Sequence, residues 1–349
     1  MAFHLDPITR RKLQRFRSLK RGWWSFIILI ALLVLAAFAE VLVNSRALVV
    51  RYRGHYSFPT YGSFHPGTDF GESYSYEVNY RRLEAKFRSE ARGDWVFMPP
   101  VPYNPYENAF ESGVYPPTPP SFAQRHFLGT DTTGRDILAR LFYGFRTAMI
   151  FAILFVALVY VIGITLGCLM GYFGGIFDIT AQRLVEIWAN MPFLYIVIIV
   201  ASILTPNLGL LLAIVVLFSW TGMTYYMRSA TYKEKARDYV ASAQVLGAGT
   251  GRIIFSHILP NLVSTIVTFI PFTVNDAITS LTALDFLGFG LPPPTPSLGE
   301  LLKQGTANLN APWIVASTFG TLVIILSLVT FIGEAIREAF DAKKFTIYE

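Results

Sequence analysis

Few residues in this chain have the type and spacing to do chemistry. The five histidines, His4, His55, His65, His126 and His257, show no metal-ligand spacing, and no nucleophile stands in register with a base. The Gly-rich P-loop pattern that cradles nucleotide phosphates is missing. The chain therefore reads as non-catalytic, with no metal and no cofactor of its own. Its one cysteine, Cys168, lies in an apolar run, has no intrachain partner and reads as a small packing residue. The notable group is an acid in an apolar stretch. Asp276 follows Asn275, and Thr279 and Ser280 lie near its face of a helix. An ionised Asp near a bilayer centre costs about 2.5–3.5 kcal/mol on insertion scales, so such a group faces a bundle interior or a watery cavity. Two readings stand: Asn275 and Asp276 line a path through the membrane, or they lie near the outer interface or against a neighbouring helix.

The elements around this acid are apolar helices. The 349 residues are 53% hydrophobic and 15% charged, against about 25% charged in a soluble domain. Runs of about 20 apolar residues mark membrane spans. Six are present, at residues 23–43, 145–172, 188–204, 208–227, 262–284 and 313–333. The expected fold is an all-α membrane protein with six transmembrane helices. The net charge of +6 does not indicate nucleic acid, because the basic residues gather at span ends. Arg10, Arg11, Lys12, Arg15, Arg17, Lys20 and Arg21 precede the first span. Arg228, Lys233, Lys235, Arg237 and Arg252 separate the fourth and fifth, and Arg337, Lys343 and Lys344 follow the sixth. The positive-inside rule then puts both termini and the loop at 228–261 in the cytoplasm. The expected organisation is a basic cytoplasmic helix at 1–22 lying on membrane lipid, a first span at 23–43, and a long extracytoplasmic insertion at 44–144. A core at 145–335 and a cytoplasmic tail at 336–349 follow.

The insertion is rich in Tyr and Pro, with Pro pairs at 99–100, 116–117 and 119–120. Proline favours an extended path, while the aromatic content argues for an ordered cap or arm. It either meets an extracytoplasmic partner or covers the chain's own helices. Before the second span, residues 130–133 offer helix caps, Asp136 falls in a first helical turn and Arg140 lies at i+4. That pattern reads as surface ion pairs worth about 0.2–0.5 kcal/mol each, with Gly144 permitting a turn into the span. Gly163, Gly167 and Gly171 form one stripe that lets a second helix approach closely, within the chain or across an interface. Pro192 is expected to kink the third span.

The most structured loop is 238–261. Ala241, Ser242 and Ala243 are small, Gly247 follows, and Ile253, Ile254, Ile258 and Leu259 make a second helical pattern that stops at Pro260. This reads as helix, glycine turn, helix, suited to docking in a groove of another protein. Its spacing resembles the cytoplasmic coupling loop of ATP-binding-cassette importer permeases, and His257 to Asn261 resembles the dipeptide/oligopeptide branch. Ala241 stands where that pattern usually has Glu. Two further runs carry the resemblance. One is His126, the Leu-Gly-Thr-Asp ending at Asp131, and Gly134-Arg135-Asp136. The other is residues 281–300, with Asp285, Gly288, Gly290 and the prolines from Pro292 to Pro294. In the second run Asp285 replaces the usual Ser and Leu298 the usual Trp, which looks more like the microcin C/oligopeptide permease subfamily.

The resemblance implies the transmembrane permease subunit of an ATP-driven importer of oligopeptides or peptide-like compounds such as microcin C, in a bacterial inner membrane. It implies a second homologous permease subunit and a cytoplasmic ABC ATPase that binds ATP and Mg. It also implies an extracytoplasmic substrate-binding protein, and alternating access as the mechanism. Ala241, Ser242, Ala243, Gly247, His257 and Pro260 would couple to the ATPase. Asn275, Asp276, Asp285, Gly288 and Gly290 would line the path or gate it. The alternative, a secondary transporter using Asp276 for ion coupling, lacks a visible inverted repeat.

Overall fold

The computed structural model describes residues 7–109 and 114–340; His4, Lys343, Lys344 and most of the expected C-terminal tail lie outside them. An amphipathic α1 (Pro7–Ser18) leads into α2 (Lys20–Ala37), and a single turn, α3 (Ala39–Leu42), ends that limb. The helical core begins with α5 (Ile137–Phe173), α6 (Gly175–Ala189), α7 (Phe193–Ile203) and α8 (Leu208–Lys235). After the loop helix α9 (Asp238–Val245) come α10 (Thr250–Arg252), α11 (Leu259–Leu287), α12 (Leu298–Ala307) and α13 (Pro312–Phe340). Among the described residues, five continuous helices are long and apolar enough to cross a membrane: α2, α5, α8, the run Thr250–Leu287 and α13. The expected third span falls on a bent pair, α6 and α7, meeting at 65°.

The kink expected at Pro192 is there, and it goes as far as a break: the expected third span at 188–204 takes in the end of α6 and all of α7. Pro192 has no N–H to continue α6 and instead starts α7. Asn190 closes α6 by donating from Nδ2 to the Glu186 carbonyl at 2.7 Å. Gly144 does not turn the chain, because α5 runs unbroken through it for 37 residues. Its missing side chain lets Leu298 pack close by; a Cβ there would sit 3.3 Å from a Leu298 methyl. Nor does a helix stop at Pro260. A π-helical turn, Ile253–Ile258, precedes it, and α11 carries on with the proline in its first turn. The wider turn is one way to relieve the clash of a proline ring with the carbonyl four residues back.

Between α3 and α5, where the sequence analysis expects an ordered cap or arm on an extended path, lies an αβ unit. Strands β1 (Val49–Tyr52), β2 (His55–Ser57) and β3 (Trp95–Phe97) pair antiparallel in the order β2-β1-β3, with Val50 opposite both Ser57 and Val96. Helix α4 (Tyr80–Glu90) starts at Asn79, whose side chain accepts from the Arg82 N–H. Its apolar face (Tyr80, Leu83, Phe87) joins Val50, Phe70 and Met98 in a core separate from that of the long helices. Alternation in such short strands is a weak signal among so many Tyr and Pro residues.

Candidate functional site

Three regions carry the residues that the sequence singled out. The first is the loop after α8. Helix α9 buries Val240 and Ala243 on the helical core, and the returning π turn buries Ile253, Ile254 and Ile258 beside them. The turn between them depends on Gly247, at φ +79°. Its N–H donates to the Gln244 carbonyl and that of Ala248 to the Ala243 carbonyl, both at 3.0 Å. Open space surrounds the position that a Gly247 side chain would take. Ala241 and Ser242 face outward, His257 is half-buried and Pro260 is exposed. Tyr239 ties the hook to α8, donating to Glu234 at 2.7 Å. Burial, and then that bond, hold its hydroxyl above the usual phenol range. The tip carries two residues that the sequence reading passed over: Val245 and Leu246 are 88% and 86% exposed. Burying either side chain fully is worth about 1.5–3 kcal/mol, so the tip leaves costly apolar surface in the open. Two apolar residues directly before a turn glycine were the available signal.

The second region is a cavity of about 710 Å³ between α5, α7, α8 and α11. Asp276 lines it with Thr273, Tyr160, Phe193, Tyr226 and Phe269. The bend at Pro192 is what brings Phe193 and Leu194 to its wall. Asn275 does not share the cavity's lining with Asp276. It faces α13, where its Nδ2 donates to Thr330 at 2.8 Å, since adjacent residues on a helix point about 100° apart. The glycine stripe backs this region from within the chain. Cβ atoms at Gly167 and Gly171 would stand 2.5 Å from the backbone carbonyls of Thr224 and Arg228 on α8. Beyond the stripe Arg228 forks onto Asp178, both contacts at 2.5 Å, and fastens α6 to α8.

The third region is the turn after α11 and the network beneath it. Gly288, at φ +87°, ends α11. Asp285 is buried and folds the turn onto itself: it accepts the Leu291 N–H at 2.7 Å and the Ser297 hydroxyl. A Cβ at Gly290 would collide with that carboxylate. Asp285 thus holds the turn together, with both carboxylate oxygens engaged inside it. Ser297 also caps α12.

Next to the turn, Arg140 is fully buried, not a surface residue as its spacing implied. It reaches Glu300 at 2.5 Å and the carbonyls of Pro105 and Pro294 at 3.2 Å. Arg135 bridges Asp131 at 2.7 Å and Glu300 at 3.2 Å. Asp136 is the cap of α5, accepting the Ala139 N–H at 2.8 Å, and its other oxygen meets His126 Nδ1 at 2.7 Å. The network joins the inter-helix unit, α5, the proline turn and α12.

Residues 163–346 match the model of the binding-protein-dependent transport system inner membrane component. The inner membrane ABC transporter permease protein YejE of Escherichia coli (strain K12) is 40% identical over 97% of this chain and 98% of its own. The peptidoglycan transport system permease protein YejE of Agrobacterium fabrum is 37% identical over 97% and 94%. The dipeptide transport system permease protein DppC of Haemophilus influenzae is 39% identical over 62% of this chain and 74% of its own. The chain belongs to the binding-protein-dependent transport system inner membrane component family, as a multi-pass permease subunit of an ABC importer.

Proposed function

We propose that this permease forms one half of the path by which a bacterial inner membrane imports peptides or peptide-like compounds, a second homologous permease forming the other half. The names of its relatives, dipeptide and peptidoglycan transport permeases among them, support that cargo class. A cytoplasmic ATPase supplies the energy from ATP and Mg, and an extracytoplasmic binding protein delivers cargo. The basic residues at the ends of α1, α8 and α13 support cytoplasmic termini and a cytoplasmic hook. The inter-helix unit then lies outside. Cargo passes by alternating access, with the cavity beside Asp276 as part of the route. Asp276 alone gives little to a self-powered reading.

The observation that carries the ATP-coupled reading is the hook. Its inner face is locked to the helical core while Val245 and Leu246 stand exposed around an unobstructed Gly247. A rigid body with an apolar tip can convey the motion of a docked ATPase. The test is co-purification of the ATPase with Leu246→Asp, Gly247→Pro and Ala243→Arg, assayed singly with cargo-stimulated ATP hydrolysis. Leu246→Asp is expected to weaken docking at least tenfold while both permeases still insert and pair. Retention of ATPase and hydrolysis by all three would remove the hook from the mechanism.

A further inference from the structure

The cavity is charged on one side only. Asp276 faces it from α11 and is exposed there, with no hydrogen-bond or ion-pair partner among the described residues. No Lys, Arg or His lines the cavity. The remaining wall is rich in aromatic faces: Phe155, Tyr160, Phe193, Tyr226 and Phe269. Tyr226 and Phe269 pack edge to face with centroids 4.4 Å apart, and Tyr160 shares a 3.0 Å hydrogen bond with Thr273. Those contacts hold Tyr160, Tyr226 and Phe269 in place and leave Asp276 as the one charged group on the wall, beside the hydroxyl residues Ser219, Thr279 and Ser280. Other acids of the helical core are treated differently. Asp178 is paired with Arg228, and Asp285 is saturated by Leu291 and Ser297.

An unpaired carboxylate in an apolar span is costly, and a cation that enters the cavity offsets that cost. Aromatic faces add to the attraction, since their quadrupoles present negative charge to a cation within about 6 Å. An anionic group meets the opposite: repulsion from Asp276, and no donor of positive charge on the wall. The volume falls in the range of about 300–1,000 Å³ typical of small-molecule sites.

We infer that this cavity is a subsite for a cationic group of the cargo, an ammonium or guanidinium, with Asp276 as its counter-charge. The inference rests on the proposed import role for its cargo and names the charge of that cargo.

The test uses the assembled transporter in proteoliposomes and has two readouts. The first is independent of cargo. Ser280, one turn from Asp276 on the same cavity wall, is changed by Ser280→Cys in a Cys168→Ser background. The new thiol is then titrated with cationic trimethylammonium-ethyl and anionic sulfonatoethyl methanethiosulfonate. After correction for intrinsic reactivity, the cationic reagent is expected to react about tenfold faster, as one unscreened charge a few ångströms away allows. Asp276→Asn should abolish that ratio and Asp276→Glu should keep it. The second readout is ATP-driven uptake of alanyl-lysyl-alanine against alanyl-glutamyl-alanine. The lysyl preference is expected to fall about tenfold in Asp276→Asn and to return in Asp276→Glu. Comparison with the unaltered complex cancels any preference of the binding protein.

A flat reagent ratio at Ser280→Cys with Asp276 intact would overturn the inference, since it means that the second permease supplies a cation to Asp276. An unchanged lysyl preference in Asp276→Asn would overturn it too. If the reagent ratio behaves as expected while neither tripeptide is imported, the cationic subsite stands and the peptide reading falls.

Discussion

Arg140 shows how misleading charge spacing is when a helix start is buried. An Asp and an Arg four residues apart look like a solvent-exposed pair, and nothing in the local pattern distinguishes that case from this one. What buries them is the return of the chain more than 150 residues later, when the turn at Pro294 and Thr295 and the acid Glu300 close over the start of α5. Removing one partner of a buried pair costs about 3–5 kcal/mol, because the other charge is left stranded. Arg140→Met should therefore lower the thermal midpoint of the purified complex sharply. Arg140→Met with Glu300→Met should recover much of that loss, since Asp131 keeps Arg135 at 2.7 Å and an apolar pair suits the space. A double variant no more stable than the single one would show that the carbonyls of Pro105 and Pro294, not the charge, are what the guanidinium supports. Val245 and Leu246 were passed over for the reverse reason: apolar residues are ordinarily assigned to a core, and their place directly before a turn glycine was a faint sign that these two stand exposed.

At the scale of elements, legibility followed the strength of the local rule. The break at Pro192 was readable because proline removes a donor wherever it stands. The turn at Gly247 was readable from small residues flanking a glycine. The π turn before Pro260 was not, since the sequence pattern cannot say whether a helix stops at a proline or widens around it. The glycine stripe was readable as a close approach, but not its partner, because every apolar helix here offers a candidate face. The partner is α8, and the approach leaves no room for a side chain. Gly167→Ala would place a methyl 2.5 Å from the Thr224 carbonyl and 2.7 Å from the Met227 Cβ. Forcing α5 and α8 apart should cost about 1–3 kcal/mol, measured as a lower midpoint in thermal denaturation of the complex. Gly222→Ala, on α8 with nothing within 4 Å of its new methyl, is the control for stability and should change the midpoint little. Equal effects of the two would mean that helix propensity, and not the contact, sets the value of Gly167.

At the scale of the whole molecule, the chain joins a small αβ unit to a larger set of long helices, each with its own hydrophobic core. The chain leaves α3 and comes back beside itself: the Asn44 N–H donates to the Val101 carbonyl and the Val101 N–H to the Leu42 carbonyl, at 3.1 and 3.0 Å. The αβ unit between those points has its own sheet and its own core. A unit whose ends are hydrogen-bonded side by side can be excised with little disturbance to what remains. Replacing residues 46–98 with a short Gly-Ser linker should therefore give a permease that inserts, pairs and retains the ATPase, because residues 99–136 still deliver Pro105 and Asp131 to Arg140. What should be lost is stimulation of ATP hydrolysis by the binding protein. The unit displays Tyr56, Phe58 and Phe97 as exposed aromatic surface, an anchor type enriched at protein interfaces. Basal hydrolysis separates the two outcomes. Preserved basal hydrolysis without stimulation places the docking surface on this unit. Stimulation that survives excision assigns the unit to covering the chain's own helices, and the delivery surface then belongs to the proline turn or to the second permease.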